Sequence, residues 1–220
     1  MKKVFFMAER SLCEYLFNLF VVGDSGCGKT QIIDRYLGDS FHSEYSPTMG
    51  IDFRFKVIDV EGRKINIQIW DTTGDVKYRT VTTAYYRHVK GFLLVYDVTN
   101  EKSFVNIRKW NADIELNSTP DVDKIIVANK CDCTEAKGDP WEAHLDVENL
   151  SAGVKRSNRD ETDSNPKDLR VVSEERGQAL AAELGCKFME VSAKSGHSVN
   201  LAFTTLIRCI KKRFEGEHQI

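Results

Sequence analysis

Apolar residues recur along the chain in short blocks with two different spacings, and the two kinds of block alternate. Leu16 to Val22 is apolar except at Asn18 and reads as a buried strand. Ile32, Ile33, Tyr36 and Leu37 recur at helical spacing, and Gly38-Asp39-Ser40 suits the C-cap of that helix. Residues 39 to 50 are polar, with Pro47 and Gly50, and read as a loop. Ile51 to Val60 and Lys64 to Trp70 read as two strands joined by a Glu61-Gly62 hairpin turn. In the second of these, Ile65, Ile67 and Ile69 alternate with Asn66 and Gln68, the pattern of a half-buried antiparallel strand. Gly91 to Val98, Lys124 to Ala128 and Lys187 to Val191 are compact apolar strands. Lys102 to Leu116 predicts a helix with Phe104, Ile107, Trp110 and Ile114 facing the core. A last helix, Ser198 to Phe214, carries Leu201, Phe203, Leu206, Ile207 and Ile210 as its apolar positions. Strands alternating with helices in this way predict an α/β fold. It is a doubly wound, mostly parallel six-stranded sheet with helices on both faces, and ligands bind such sheets at the carboxyl ends of the strands.

Composition narrows the setting. At 220 residues and 41% apolar, the chain suits one domain with a sizeable core. Its organisation reads as an N-terminal extension over 1–14, a domain over 15–214 and a short tail over 215–220. A net charge of −2 argues against a nucleic-acid polymer as partner. No apolar run approaches the roughly 18 residues of a membrane helix. The apolar start of the chain is broken by Glu9 and Arg10, which argues against a secretion signal, and Lys2 excludes N-terminal myristoylation. The six cysteines show no framework spacing and read as reduced thiols in a cytosol-like, cytoplasmic compartment. Cys131 and Cys133 lack the partners of a zinc site.

The candidate chemistry lies at the strand ends. Gly23-Asp24-Ser25-Gly26-Cys27-Gly28-Lys29-Thr30 matches the G-x-x-x-x-G-K-[ST] phosphate loop and stands between a strand and a helix, where its mechanics require it. Its glycines allow successive backbone N–H groups to face phosphate oxygens, helped by the positive end of the helix dipole. Lys29 is the cation for the β- and γ-phosphates, and the Thr30 hydroxyl is the expected Mg²⁺ ligand. Trp70-Asp71-Thr72-Thr73-Gly74-Asp75 sets an acid at the end of an apolar strand, three residues before a glycine. Asp71 suits Mg²⁺ through water, and the Gly74 N–H suits the γ-phosphate. Asn129-Lys130-Cys131-Asp132 follows the next strand. The Asp132 carboxylate matches the N1–H and N2–H₂ donors of guanine, a pattern adenine lacks. Asn129 buttresses that loop, the Lys130 stem can lie along the base, and the backbone of Ser192-Ala193-Lys194 suits the guanine O6.

With these motifs in place, the sequence resembles the small GTPases, and most closely the Rab family. The resemblance covers residues 15 to 132 and 171 to about 213. Beyond the shared nucleotide motifs it rests on Met49-Gly50-Ile51-Asp52-Phe53, Ile67-Gln68-Ile69-Trp70, Lys77-Tyr78-Arg79-Thr80, Ala84-Tyr85-Tyr86-Arg87 and Leu94-Val95-Tyr96-Asp97-Val98-Thr99. These stretches look like the secretory-pathway Rabs. The resemblance implies the P-loop small GTPase fold, GTP or GDP with Mg²⁺ as cofactors, and a switch in membrane or vesicle trafficking. It implies that Thr48 closes on Mg²⁺ and the γ-phosphate, so that Thr30, Thr48 and Asp71 form the metal set. Residues 40–53 and 73–87 are then ordered with GTP and released on hydrolysis. It also implies effector proteins that meet Phe53, Trp70 and Tyr85, an exchange factor, and a GTPase-activating protein.

The sequence departs from the family in three places. Asp75 stands where the family carries a Gln that orients the attacking water, which predicts slow hydrolysis by a catalytic set of Lys29, Thr48 and Asp75. Thr73 stands where Ala is usual. Second, residues 133–170 replace a shorter connection; they are rich in charge, Asn, Ser and Pro and read as a disordered insert, with a short helix at Pro140 to Leu145 carrying Trp141 and Leu145 on one face. Third, Cys209 is the last cysteine and no C-a-a-X box follows, so membrane association is expected to be indirect, through partners at endomembranes, or absent. Two other functions fit parts of the pattern: a GTP-binding recruitment module with little hydrolysis, and an ATP-dependent small-molecule kinase, against which Asn129 to Asp132 argues.

Overall fold

The computed structural model describes residues 13–42, 47–48, 50–135 and 169–217. The extension before Cys13, most of the expected insert with Trp141 and Leu145, and the last three residues lie outside the described residues.

The elements run β1 (Tyr15–Val22), α1 (Lys29–Leu37), β2 (Ile51–Val60), β3 (Arg63–Thr72), α2 (Arg79–Thr83), β4 (Gly91–Asp97), α3 (Glu101–Asn117), β5 (Asp123–Asn129), β6 (Thr134–Glu135), β7 (Leu169–Arg170), α4 (Glu174–Glu183), β8 (Lys187–Glu190) and α5 (Val199–Glu217). The main sheet has six strands in the order β2-β3-β1-β4-β5-β8. Every pairing in it is parallel except β2 with β3. This is the doubly wound sheet expected from the alternation.

The two faces of the sheet carry separate cores. On one, Phe17, Leu19 and Val21 of β1 and Ile65, Ile67 and Ile69 of β3 meet α1 and α5. On the other, Phe20 and Val22, with Leu94 and Tyr96 of β4, meet Phe104, Ile107, Trp110 and Ile114 of α3 and Leu180 of α4. Successive strand residues point to opposite faces, so a strand covered on both sides is apolar at nearly every position. Asn66 departs from the expected pattern. β3 is an inner strand, antiparallel to β2 on one side but parallel to β1 on the other, and Asn66 is buried. The α5 stripe is Val199, Ala202, Phe203, Leu206, Ile207 and Ile210 at helical spacing; Leu201 falls off it and is half exposed, a correction to the expected apolar set.

Helix α4 escapes periodicity reading, yet its start is marked by Ser173, whose side chain accepts from the Arg176 N–H. Asn100 caps α3 in the same way. Short 3₁₀ turns at Val76–Tyr78 and Tyr86–His88 flank α2.

Helices α1 and α5 lock through Tyr36 and Phe203, whose rings stack with centroids 3.9 Å apart. Burial pushes the Tyr36 phenol up to about 12. Phe203→Ala is expected to lower unfolding free energy by about 3–5 kcal/mol in a urea titration; a loss below about 1 kcal/mol shows that the stack contributes little.

Candidate functional site

The phosphate loop leaves β1 and enters α1 without a side-chain N-cap. Gly28 occupies the cap position at φ 85°, and a Cβ there would fall 2.4 Å from Asn129 Nδ2. The left-handed backbone and this close approach both require glycine. The Lys29 ammonium is buried and donates to the Gly23 and Asp24 carbonyls, each at 2.9 Å. Burial holds its pKa below the usual lysine range, while the neighbouring Cys27, Asp71 and Asp24 oppose that shift. Burial also pushes the Cys27 thiol up to about 11.

Three oxygen-bearing side chains converge beside Lys29. The Thr30 hydroxyl donates to Asp71 Oδ2 at 2.7 Å and lies 2.8 Å from the Thr48 hydroxyl. Asp71 arrives from the end of β3, Thr30 from the start of α1 and Thr48 from the connection before β2. The other carboxylate oxygen, Asp71 Oδ1, is buried with no hydrogen-bond partner among the described residues. Burial raises the Asp71 pKa, offset in part by the Thr30 hydroxyl and Lys29. Two hydroxyls and an orphaned carboxylate oxygen form a hard oxygen donor set, which fits Mg²⁺.

The base-side motif gathers on the opposite side of the loop. Asn129 is buried; its Nδ2 donates to the Cys27 carbonyl at 2.8 Å, and its Oδ1 accepts the Ala193 N–H at 3.1 Å. Ser192 is fully buried, Lys194 is exposed, and Lys194 Nζ lies 4.0 Å from Asp132 Oδ2. Lys130 takes a left-handed backbone, φ 67°, and its ammonium pairs with Asp97 Oδ2 at 2.5 Å.

Asp75 bonds within its own segment. Its Oδ1 accepts the Lys77 N–H at 3.0 Å, and its own N–H donates to the Thr73 hydroxyl at 3.3 Å. A carboxylate accepting an N–H two residues on is a local cap of the 3₁₀ turn that follows. The aromatic residues assemble as a row: the Phe53 and Trp70 centroids are 5.3 Å apart, as are those of Trp70 and Tyr85.

Three contacts were not apparent from the motifs. Asp97 closes β4 as Asn129 closes β5, and Asp71 stands one residue before the end of β3, so the position of Asp97 at a strand end is a usable signal. Arg35 of α1 donates to the Ala193 and Lys194 carbonyls at 2.9 and 2.6 Å, a contact across most of the chain that no local pattern marks. Asp24 binds two side chains of α3, Asn106 and Trp110.

A family model described as Ras family matches residues 18–212. Ras-related protein Rab-8A from Gallus gallus is 43% identical over 202 residues, spanning 92% of this chain and 82% of the relative. The chain belongs to the Rab family of small GTPases. Ras-related protein Rab-8B from Bos taurus gives the same 43% identity over 197 residues, 90% of this chain and 79% of that relative. Rab membership makes the chain a GTP-binding switch with guanine nucleotide and Mg²⁺ as its ligands.

In this Rab-family chain the orphaned Asp71 oxygen gives a direct test of the metal set. In the nucleotide-free protein Asp71→Asn removes a buried, half-partnered charge and is expected to leave the melting temperature unchanged or raise it. In the loaded protein the same change is expected to abolish most of the stabilisation that added Mg²⁺ gives. Thermal melts with and without Mg²⁺ separate the two effects; an Asn variant that still gains the full Mg²⁺ shift excludes Asp71 from the metal set.

Proposed function

We propose that this chain is a slowly hydrolysing GTP switch whose state is read by effector proteins. The reading is carried by Asp75, which by resemblance takes the water-orienting position of the family and whose Oδ1 accepts the Lys77 N–H. Asp is also one methylene shorter than Glu or Gln and carries a charge of the same sign as the γ-phosphate, which disfavours approach. Without a group to orient water, what remains for the chain's own residues is binding and electrostatic positioning.

Those roles follow from the contacts above. Two of the three Lys29 protons go to loop carbonyls, which leaves the third for a β- or γ-phosphate oxygen. The N–H groups of Gly23 to Thr30 cradle the phosphates, and the Gly74 N–H serves the γ-phosphate. Thr30 and Thr48 would hold Mg²⁺ by their hydroxyls and Asp71 would hold it through water. The ion would supply positive charge against the phosphate oxygens. Asp132 selects guanine through N1–H and N2–H₂, while Ala193 and Lys194 offer backbone to O6. Asn129 holds the two loops at the right separation.

The readout surface is the row Phe53, Trp70 and Tyr85. Phe53 and Tyr85 are 47% and 43% exposed, unusually open for large aromatics, and they belong to the two segments 40–53 and 73–87. An exchange factor loads the nucleotide, and a GTPase-activating protein supplies Arg and Gln in trans. The chain acts in the cytoplasm in vesicle trafficking and reaches endomembranes through partners. No helix among the described residues is long and apolar enough to cross a membrane.

Single-turnover phosphate release from GTP-loaded protein with Mg²⁺ tests the reading beside Asp75→Gln. The Gln variant is expected to release phosphate at least about tenfold faster. A wild-type rate equal to or above that of the variant overturns it, and negligible release from both favours a recruitment module that does not hydrolyse. Excess ATP is expected to leave labelled GTP bound; efficient displacement by ATP excludes the guanine assignment of Asp132.

A further inference from the structure

The second position of the phosphate loop is a carboxylate, Asp24, in a loop that the reading above assigns to an anion. A loose carboxylate there has the same sign as the phosphate oxygens and opposes binding. Asp24 is instead gripped at both oxygens. Its Oδ1 accepts the indole N–H of Trp110 at 2.9 Å, and its Oδ2 accepts Asn106 Nδ2–H at 2.7 Å. Asn106 and Trp110 are four residues apart on α3 and therefore lie side by side on one face. Trp110 is only 5% exposed, and an indole N–H buried to that degree needs an acceptor.

The anchor itself is firm. Phe104, Ile107 and Ile114 fix α3 in the second core, and Arg108 ties it to Glu183 of α4 through bonds of 2.9 and 2.6 Å. Gly74 packs closely against the same loop peptide. A Cβ built there would fall 2.2 Å from the Asp24 carbonyl carbon and 2.1 Å from the Ser25 nitrogen. Asp24 is thus held by α3 through its side chain and packed closely by Gly74 of the 73–87 segment through its backbone.

We infer that Asp24 is a positioning residue: Trp110 and Asn106 hold its charge out of the loop and fix the backbone on which the nucleotide rests, so that α3 sets how slowly the nucleotide leaves. The inference rests on reading this loop as a guanine-nucleotide site.

The test follows release of N-methylanthraniloyl-GDP from the full chain with Mg²⁺. Trp110→Phe and Asn106→Ala are each measured with Asp24 in place and again with Asp24→Ala, beside a thermal melt of every variant. With Asp24 present, each change is expected to speed release about tenfold, the effect of losing one hydrogen bond to a charged group. With Asp24→Ala, each is expected to change release less than about twofold, because the shared partner is gone. Asn106 is only half buried, so its variant answers the question if Trp110→Phe unfolds. Equal acceleration in both backgrounds, or none in either, overturns the inference and leaves α3 a packing element. A wild-type chain that does not retain the fluorescent nucleotide overturns the guanine-nucleotide reading as well.

Discussion

The Asn129 side chain, buried at the end of β5, bonds at once to the Cys27 carbonyl of the phosphate loop and to the Ala193 N–H of the loop after β8. These loops belong to strands on different sides of the sheet centre and share no covalent neighbour. One amide has a donor and an acceptor on the same rigid group, so it sets the distance between them rather than merely attracting them. Its desolvation demands both bonds, since a buried amide left half paired is costly. Gly28 must remain without a side chain because Asn129 occupies the space. Arg35 supports the same arrangement from α1 by holding the Ala193 and Lys194 carbonyls. The distance between the parts that bind phosphate and base is therefore built into the resting fold.

Charge is handled differently on the two sides of this brace. At the proposed metal set, Asp71 keeps one oxygen without a partner among the described residues, a local instability that a cation would relieve. At Asp24 and Asp97, by contrast, every strong charge has a protein partner. Functional sites concentrate such unpaired polar atoms because the missing partner is the ligand. Thr73 and Asp75 bond to each other, and Asp75 bonds on to the Lys77 N–H. They form one local unit, a turn that closes on itself.

Much of this was readable in the one-dimensional pattern, for physical reasons. All six strands of the main sheet are legible: β1, β4 and β5 because a strand covered on both faces is apolar almost throughout, β2 and β3 as two runs about the Glu61-Gly62 turn, and β8 as a short run before Ser192. The phosphate loop, Asp71 and Asn129 to Asp132 are legible as motifs, and each stands at a strand end, where such sheets carry their ligands. Errors occurred where burial depends on sheet order rather than on local spacing. Asn66 looks like a solvent-facing residue until β1 is known to lie beside β3. Leu201 looks like core until the α5 stripe is seen to pass one residue away. Trp110 was legible as a core aromatic, but its N–H partner lies in a loop 86 residues away. Helix α4 was missed because alanine and charged residues dominate it, although its Ser173 cap was visible.

The two-residue parallel ladder of Thr134–Glu135 with Leu169–Arg170 holds the ends of the long connection side by side. Arg170 fastens one of those ends to Glu190 of β8 by a two-pronged ion pair, at 2.7 and 2.9 Å. The Val171 and Val172 N–H groups continue onto the Val98 carbonyl. The ladder behaves as a socket. With its rims fixed, the entropy of closing whatever chain is threaded between them rises only logarithmically, about 0.6 kcal/mol per doubling of length. Evolution can therefore lengthen, shorten or exchange that stretch with little strain on the neighbouring β5 and β8. The same socket offers an engineer a place to graft a foreign peptide or reporter domain while the machinery at the strand ends stays as it is.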